Sequence, residues 1–404
     1  MFDSFPALSP DGKALAFLRN TDDGGTPTIY ISSTRTTYNN AERKVVSLRG
    51  IGRLAWTADS KRIIFHARGF FLGESGLYSV SARGGPVERF QSVSSNASGP
   101  AISRQGDKLA YSVGFLDSNV WQVPLKTFAP PTSLIASTRI DMQGVFSPDG
   151  QKLLFVSNRD GTVAVWLSNA DGSDPVRFST RGGATPEWSP DGKYVAFDSN
   201  QDGRWQVFVK AVEGGPEVPL VNDGFDHRAP SWSADGKSVY FSSNRSGAWE
   251  IWRGSVQDHQ ATEVTHSGGT YAQEARDGRT VYYQQPLSKA QFDPDQMMPE
   301  IWSIPTGGGP EKIIFPLNER FQGPGLNWFW RVVRNGIYFV DNSTRPKPTL
   351  KYFDFKARAI RKVRHLEKRA WGAPGLGVSP GEATLLITQI DDEGGDIMLL
   401  ENFR

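Results

Sequence analysis

The chain has 404 residues, with 45 Lys and Arg against 43 Asp and Glu, 42 Gly, 26 Pro and no Cys, and 38% of it is hydrophobic. A formal net charge of +2 excludes recognition of nucleic acid or acidic surfaces by global charge, and the lack of Cys excludes disulfides, Fe–S clusters, thiolate zinc sites and a cysteine nucleophile. The hydrophobic fraction excludes a disordered chain, and Gly and Pro spread evenly along it point to many short elements joined by turns.

No run of 18 apolar residues occurs, and the opening Met1 to Pro10 has neither a basic nor an apolar targeting region. No membrane span is expected. The chain as written reads as cytoplasmic, with a periplasmic or envelope location expected only if an upstream targeting part exists.

Taken in chain order, one ten-residue phrase keeps returning: LSPDGKALAF, WTADSKRIIF, ISRQGDKLAY, FSPDGQKLLF, WSPDGKYVAF and WSADGKSVYF, then the weaker EARDGRTVYY, WRVVRNGIYF and VSPGEATLLI. Their closing residues are Phe17, Phe65, Tyr111, Phe155, Phe197, Phe241, Tyr283, Phe339 and Ile387, 42 to 56 positions apart. In each phrase an apolar residue leads into a Ser-Pro-Asp-Gly turn, where Pro presets φ, Asp caps the turn and Gly accepts positive φ. A β-branched or aromatic strand follows, then a polar loop, a third strand such as Trp205 to Val209, a Gly-rich turn and a short fourth strand. No window carries a sustained helical period.

Four antiparallel strands per roughly 46 residues is the pattern of an all-β propeller. Nine units are expected, at about 5–50, 51–96, 97–141, 142–182, 183–226, 227–269, 270–321, 322–369 and 370–404, in a single domain over 1–404. Nine exceeds the usual four to eight blades, so an eight-bladed ring with one distorted unit is the alternative.

The phrase W/F-S-P-D-G-K, the loop Ser157-Asn158-Arg159-Asp160-Gly161 and the aromatic third strand resemble the TolB-type PD40 repeat, a relative of WD40. The resemblance covers the whole chain. It implies a propeller serving as a protein- or peptide-binding scaffold, as the gating part of a prolyl oligopeptidase-like peptidase, or as a sensor region behind bacterial winged-helix regulators. The stretches Gly336 to Phe355 and Gly395 to Arg404 look most like the last group. No winged helix precedes them here, so direct nucleic-acid binding is not expected.

Several apparent motifs dissolve on the repeat. Gly377 to Gly381 matches G-x-S-x-G, but it is the ninth copy of the turn and has no His after it. Ala234 to Ser238 resembles the end of a P-loop without its first Gly. The Asp loops at Asn158, Asn169 and Asn200 lack the bidentate acid of a calcium loop. The five His, His66, His227, His259, His266 and His365, show no metal-ligand spacing. Accordingly, no cofactor and no metal are expected. The recurring Trp121, Trp166, Trp205, Trp252 and Trp302 read as packing between blades.

Departures from the repeat are where function is sought. Asp226, His227 and Arg228, with Arg53 and Gln143, are candidates for a channel-mouth cluster that binds a small ligand or cation. Insertions place Phe70, Phe71 and Leu72, and Phe292, Met297 and Met298, in loops as candidate anchors for a protein or peptide partner. From Arg331 to Arg369 there are 12 Lys and Arg against three acids. Within this segment Arg358, Arg361, Lys362 and Arg364 fall on an expected outermost strand, where they discourage edge pairing or dock an acidic partner, an anionic lipid or nucleic acid. The leading expectation is a non-catalytic binding scaffold or sensor. A polysaccharide-lyase-like enzyme at the channel mouth and a peptidase gate without its hydrolase are the alternatives.

Overall fold

A computed structural model describes residues 2–20, 26–34, 42–48, 50–68, 75–91, 93, 96–285, 301–314, 329–341, 347–368, 370–371 and 375–403. Among them there is no α-helix, and the strands form eight antiparallel sheets, seven of them four-stranded. The chain divides into two compact units, residues 1–116 with 393–404, and residues 117–392.

The turn chemistry read from the sequence builds each first hairpin. In Ser147-Pro148-Asp149-Gly150 the Ser hydroxyl donates to Asp149 Oδ1 and accepts from Lys152 N at 2.9 Å, while Gly150 sits at φ 74 and its N–H reaches Ser147 O at 2.9 Å. The turns at Ser9, Ser189 and Ser233 repeat this, with Ser-to-Asp distances of 2.6, 2.6 and 2.7 Å. The closing aromatics Phe155, Phe197, Phe241, Tyr283 and Phe339 are all fully or almost fully buried.

The smaller unit holds the sheet Phe2–Leu8, Ala14–Asn20, Thr28–Ser33 and Arg43–Ser47, and the sheet Ile51–Trp56, Arg62–Arg68, Ser75–Ser81 and Glu88–Arg89. Ala16, Leu18 and Ile29 of the first pack against Ile63, Phe65 and Val80 of the second.

In the larger unit, sheet one is Asp141–Phe146, Lys152–Ser157, Ala164–Asn169 and Val176–Arg177, and sheet two is Ala184–Trp188, Tyr194–Ser199, Gln206–Ala211 and Val218–Pro219. Sheet three is His227–Trp232, Ser238–Ser243, Glu250–Ser255 and Ala261–Glu263; sheet four is Thr270–Glu274, Thr280–Gln284, Ile301–Pro305 and Lys312–Ile313. Sheet five is Trp330–Val333, Gly336–Asp341, Thr349–Asp354 and Ala359–His365.

The eighth sheet rests on two long strands, Lys108–Pro124 and Thr384–Glu401, that run through both units. In the smaller unit Leu109 to Val113 pair with Ala97–Ile102. In the larger unit Val120 to Gln122 pair with Thr132–Ile135, and Leu385 to Ile387 pair with Leu376–Val378; this part is called sheet six. The third and ninth sequence units thus share one sheet, which is why nine phrases give eight sheets.

First strands of sheets one to five neighbour one another in order, and Leu376–Val378 lies against the first strands of both sheet five and sheet one. Six sheets therefore close on themselves within 117–392. Apolar cores fill the gaps between successive sheets, as where Val145, Leu154 and Val165 of sheet one meet Trp188, Val195 and Phe197 of sheet two.

Gly336 shows how tight this packing is. A Cβ there would stand 2.1 Å from Phe353 O and 2.5 Å from the Tyr352 ring, with backbone as the nearest obstacle, whereas a Cβ at Gly307 would meet nothing. Gly336→Ala is expected to cost roughly 2–3 kcal/mol by overpacking, and Gly307→Ala to be nearly neutral. Urea unfolding midpoints of the two variants check this; equal midpoints would refute it.

Candidate functional site

The axis of the larger unit is built from backbone irregularities. In sheets one to four the first strand carries a residue with positive φ, Gln143 at 58°, Thr185 at 50°, Ala229 at 52° and Tyr271 at 46°, and its pairing with the second strand shifts there. Such a bulge takes an N–H out of the ladder, and a buried N–H must find another acceptor. The acceptor comes from the preceding sheet each time. Thr388 Oγ1 accepts from Gln143 N at 3.0 Å, Gln143 Oε1 from Thr185 N at 2.8 Å, Asp198 Oδ2 from Ala229 N at 2.8 Å, and Ser242 Oγ from Tyr271 N at 3.1 Å. Gln273 Oε1 extends the series to Val332 N in sheet five at 2.8 Å.

Thr388, Asp198 and Ser242 hold one place in the repeat, directly after the closing residue Ile387, Phe197 or Phe241. In sheet one that place is Val156, and Gln143 from the first strand serves instead.

Where the first strands end in their turns, a cavity of about 410 Å³ opens on the axis. Trp188, Trp232, Val378 and the turn prolines Pro148, Pro190 and Pro380 form its walls. Both indoles are fixed, Trp188 Nε1 donating to Val145 O and Trp232 Nε1 to Glu187 O, each at 3.1 Å. Across the floor Glu187 of sheet two meets Arg331 of sheet five, three places round the series of six. The pair is bidentate: Arg331 Nη1 bonds Glu187 Oε1, and Nη2 reaches Oε2 at 2.9 Å.

Beside the pair Gln273 Nε2 donates to the Tyr271 hydroxyl at 2.8 Å and to Trp330 O at 3.2 Å. Burial opposes the charge on Arg331, but Glu187 and Tyr271 hold its pKa above the ordinary value. Burial pushes the Tyr271 hydroxyl up as well, so it stays protonated. On the wall, Glu274 is raised by burial. The Ser147 and Ser233 hydroxyls on the rim are spent on their own turns, donating to Asp149 and Asp235. The site offers shape, apolar surface and a fixed dipole, the features of a ligand pocket.

Gln143, Asp226, His227 and Arg228 belong to the larger unit, while Arg53 is exposed in the smaller one on Ile51–Trp56. His227 is 2% exposed, between Ser243 Oγ at 3.0 Å from Nδ1 and Asp223 Oδ1 at 2.8 Å from Nε2, edge-on to Phe241. Burial lowers its pKa to about 4, so the ring is neutral at pH 7. Asp226 Oδ1 accepts the Trp205 N–H at 3.0 Å, and Arg228 lies 4.2 Å from the Trp205 ring centroid.

Phe70, Phe71, Leu72, Phe292, Met297 and Met298 lie outside the described residues. Arg361, Lys362 and Arg364 occupy the outermost strand of sheet five, with Arg358 just before it. Asp160 and Asp171 serve their own loops through Thr162 and Ser173. Among the described residues no group of three or more His, Asp or Glu is placed to hold a metal ion, and no helix is long and apolar enough to cross a membrane.

The sequence reading passed over Glu187, Arg331, Tyr271, Gln273 and Asp198. A charged residue inside an otherwise apolar first strand, as in Trp330-Arg331-Val332-Val333, was the available signal.

Residues 182–296 match the TolB beta propeller domain, PD40. A TolB-type structure from Agrobacterium tumefaciens is similar at TM-score 0.52 and 17% identity, covering 69% of this chain and 99% of that one. TolB from Acinetobacter baumannii gives 0.46 at 15% identity over 87% of this chain and 78% of that chain. A puromycin-hydrolyzing peptidase from Mycobacterium tuberculosis gives 0.43 at 14% over 91% and 53%. No curated protein matches the sequence significantly. The fold is a TolB-like propeller.

Asp198 makes the axial network sensitive to pH. Burial raises its pKa from 3.8 to about 6, with Arg228 and the Ala229 N–H opposing the rise. A raised carboxyl costs stability when charged, so the penalty is present above about pH 6 and gone below pH 4. Asp198→Asn keeps an oxygen for Ala229 N and is expected to add roughly 2–3 kcal/mol at pH 8 and nothing at pH 4. Thermal midpoints of both proteins across that range measure it; a gap that does not change with pH would refute it.

Proposed function

We propose that the chain is a non-catalytic propeller scaffold whose axial funnel in 117–392 takes up a peptide segment of a partner protein. The observation that carries this reading is the funnel itself: about 410 Å³, walled by fixed Trp and Pro side chains and floored by the Glu187–Arg331 pair. Its size suits a few side chains, and its rigidity lowers the entropy cost of binding. A sensor role, as in the propellers behind winged-helix regulators that the repeats resemble, is the form of scaffold we favour.

The internal bonding speaks against the other readings. Residues that a lyase-like channel mouth would use are engaged, His227 with Ser243 and Asp223, and Asp226 with the Trp205 backbone. A peptidase gate needs an open axis, and here an ion pair spans it. The loops with Phe70 to Leu72 and with Phe292, Met297 and Met298 remain proposed as further partner contacts.

Peptides selected from a random display library against the full chain supply the test. Ala234, half-buried on the funnel wall, is replaced by Trp to fill the mouth. Titration calorimetry is expected to show a loss of about tenfold or more for Ala234→Trp; unchanged affinity would refute the funnel as the site. Cleavage of polygalacturonate by the purified chain with a divalent cation, followed by ultraviolet absorbance of the unsaturated product, would overturn the non-catalytic half.

A further inference from the structure

The charge excess between Arg331 and Arg369 does not form one patch. Arg331 is consumed on the axis by Glu187, Lys351 pairs with Asp341 at 3.1 Å, and Lys368 with Asp391 at 2.6 Å. What stays at the surface is the outer edge of sheet five. Lys356, Arg358, Arg361 and Lys362 are exposed there, with Arg364 half-buried. Of the acids near this edge, Asp354 Oδ1 accepts from Lys356 N and Ala357 N, Glu382 Oε1 accepts from Arg334 N at 3.3 Å, and Glu367 pairs with Lys347.

Arg364 joins this edge to the hairpin of sheet six. Its Nη1 donates to Pro124 O at 3.3 Å and to Ala129 O at 3.0 Å. The hairpin adds the exposed Lys126, and at its tip Phe128 is 91% exposed, the highest value among the large hydrophobic residues described. Lys126 Nζ donates to Gly381 O in the turn before Thr384–Glu401 at 3.0 Å, and on sheet five Arg361 lies 4.6 Å from the Tyr352 ring centroid. Lys126, Arg361 and Arg364 are therefore held in place, and Arg364 ties the edge to the hairpin that carries the Phe128 ring.

We propose that this edge, Lys126, Lys356, Arg358, Arg361, Lys362 and Arg364 with Phe128 at its tip, is a docking surface for an anionic phospholipid bilayer. Charge complementarity selects a polyanion, because four to eight clustered cations hold a negatively charged lipid surface at about 1 kcal/mol each. The phenyl ring selects the bilayer among polyanions. On a lipid surface the cations stay with the headgroup phosphates while the ring enters the acyl boundary. A single-stranded nucleic acid would need a row of rings to stack on, and among the described residues this edge presents one. The surface shares no residue with the funnel lining.

Co-sedimentation of the full chain with vesicles tests the proposal. Vesicles of phosphatidylcholine with about 30 mol% phosphatidylglycerol are expected to bind at low salt and release the chain as salt rises, and phosphatidylcholine alone not to bind. The exposed charge reversals Arg358→Glu and Lys362→Glu together should weaken binding about tenfold or more. Phe128→Ser should weaken it several-fold with an unchanged thermal midpoint. Binding equal on neutral vesicles, no binding at low salt, or indifference to all three substitutions would overturn the proposal. So would binding to duplex DNA or polyglutamate as tight as to anionic vesicles and unaffected by Phe128→Ser, which would assign the edge to a soluble polyanion.

Discussion

A backbone N–H turned out of its ladder on the innermost strands is the constraint on which the larger unit depends. At each bulge the amide is buried, and only a side chain of the preceding sheet answers it, from Thr388 to Gln143, Gln143 to Thr185, Asp198 to Ala229 and Ser242 to Tyr271. An unanswered buried amide costs roughly 1–3 kcal/mol. Each sheet therefore completes the next one's hydrogen bonding as well as covering its apolar face. This makes closure of the six sheets directional, since the acceptor always comes from the earlier sheet. Trp188 and Trp232 repeat the direction with their indoles, each donating to a first-strand carbonyl of the sheet before.

Much of this was legible in the sequence because the repeat states local chemistry. The Ser-Pro-Asp-Gly turns, the buried closing aromatics and the outer position of Ala359–His365 all follow from residues a few positions apart. The number of sheets was not legible. Lys108–Pro124 and Thr384–Glu401 unite the third and ninth phrases although they lie some 270 residues apart, and each runs on past the point where a repeat unit would end. Strand pairing at that separation leaves no periodic trace, because a strand long enough to serve two units reads locally like any other strand.

The site was legible only as polarity. His227 and Asp226 stood out as polar residues at the start of a first strand, and they are there for local reasons: one bridges Ser243 and Asp223, the other holds the Trp205 amide. Glu187 and Arg331 are 144 positions apart and meet only because sheets two and five stand opposite in a series of six. Their burial gives the pair its character. Breaking one partner would leave an uncompensated charge inside the ring, so the pair acts as a fixed plug and not as an adjustable contact.

The same distinction sorts the basic residues. The formal excess of nine charges in 331–369 suggested one surface, yet its members divide by what faces them. Arg331 points to the axis and is neutralised; Lys351 and Lys368 meet acids of their own neighbourhood. The outermost strand of sheet five carries no further strand, and its Arg361 and Lys362 stay exposed. A propeller thus offers two places where side chains are released from the demands of the repeat: the turn end of the axis, where six sheets converge and leave a cavity, and the outer edges, where each sheet stops. In this chain the first is walled by aromatic and proline side chains, and the second carries concentrated positive charge beside an exposed phenyl ring. The two differ in shape and in chemistry.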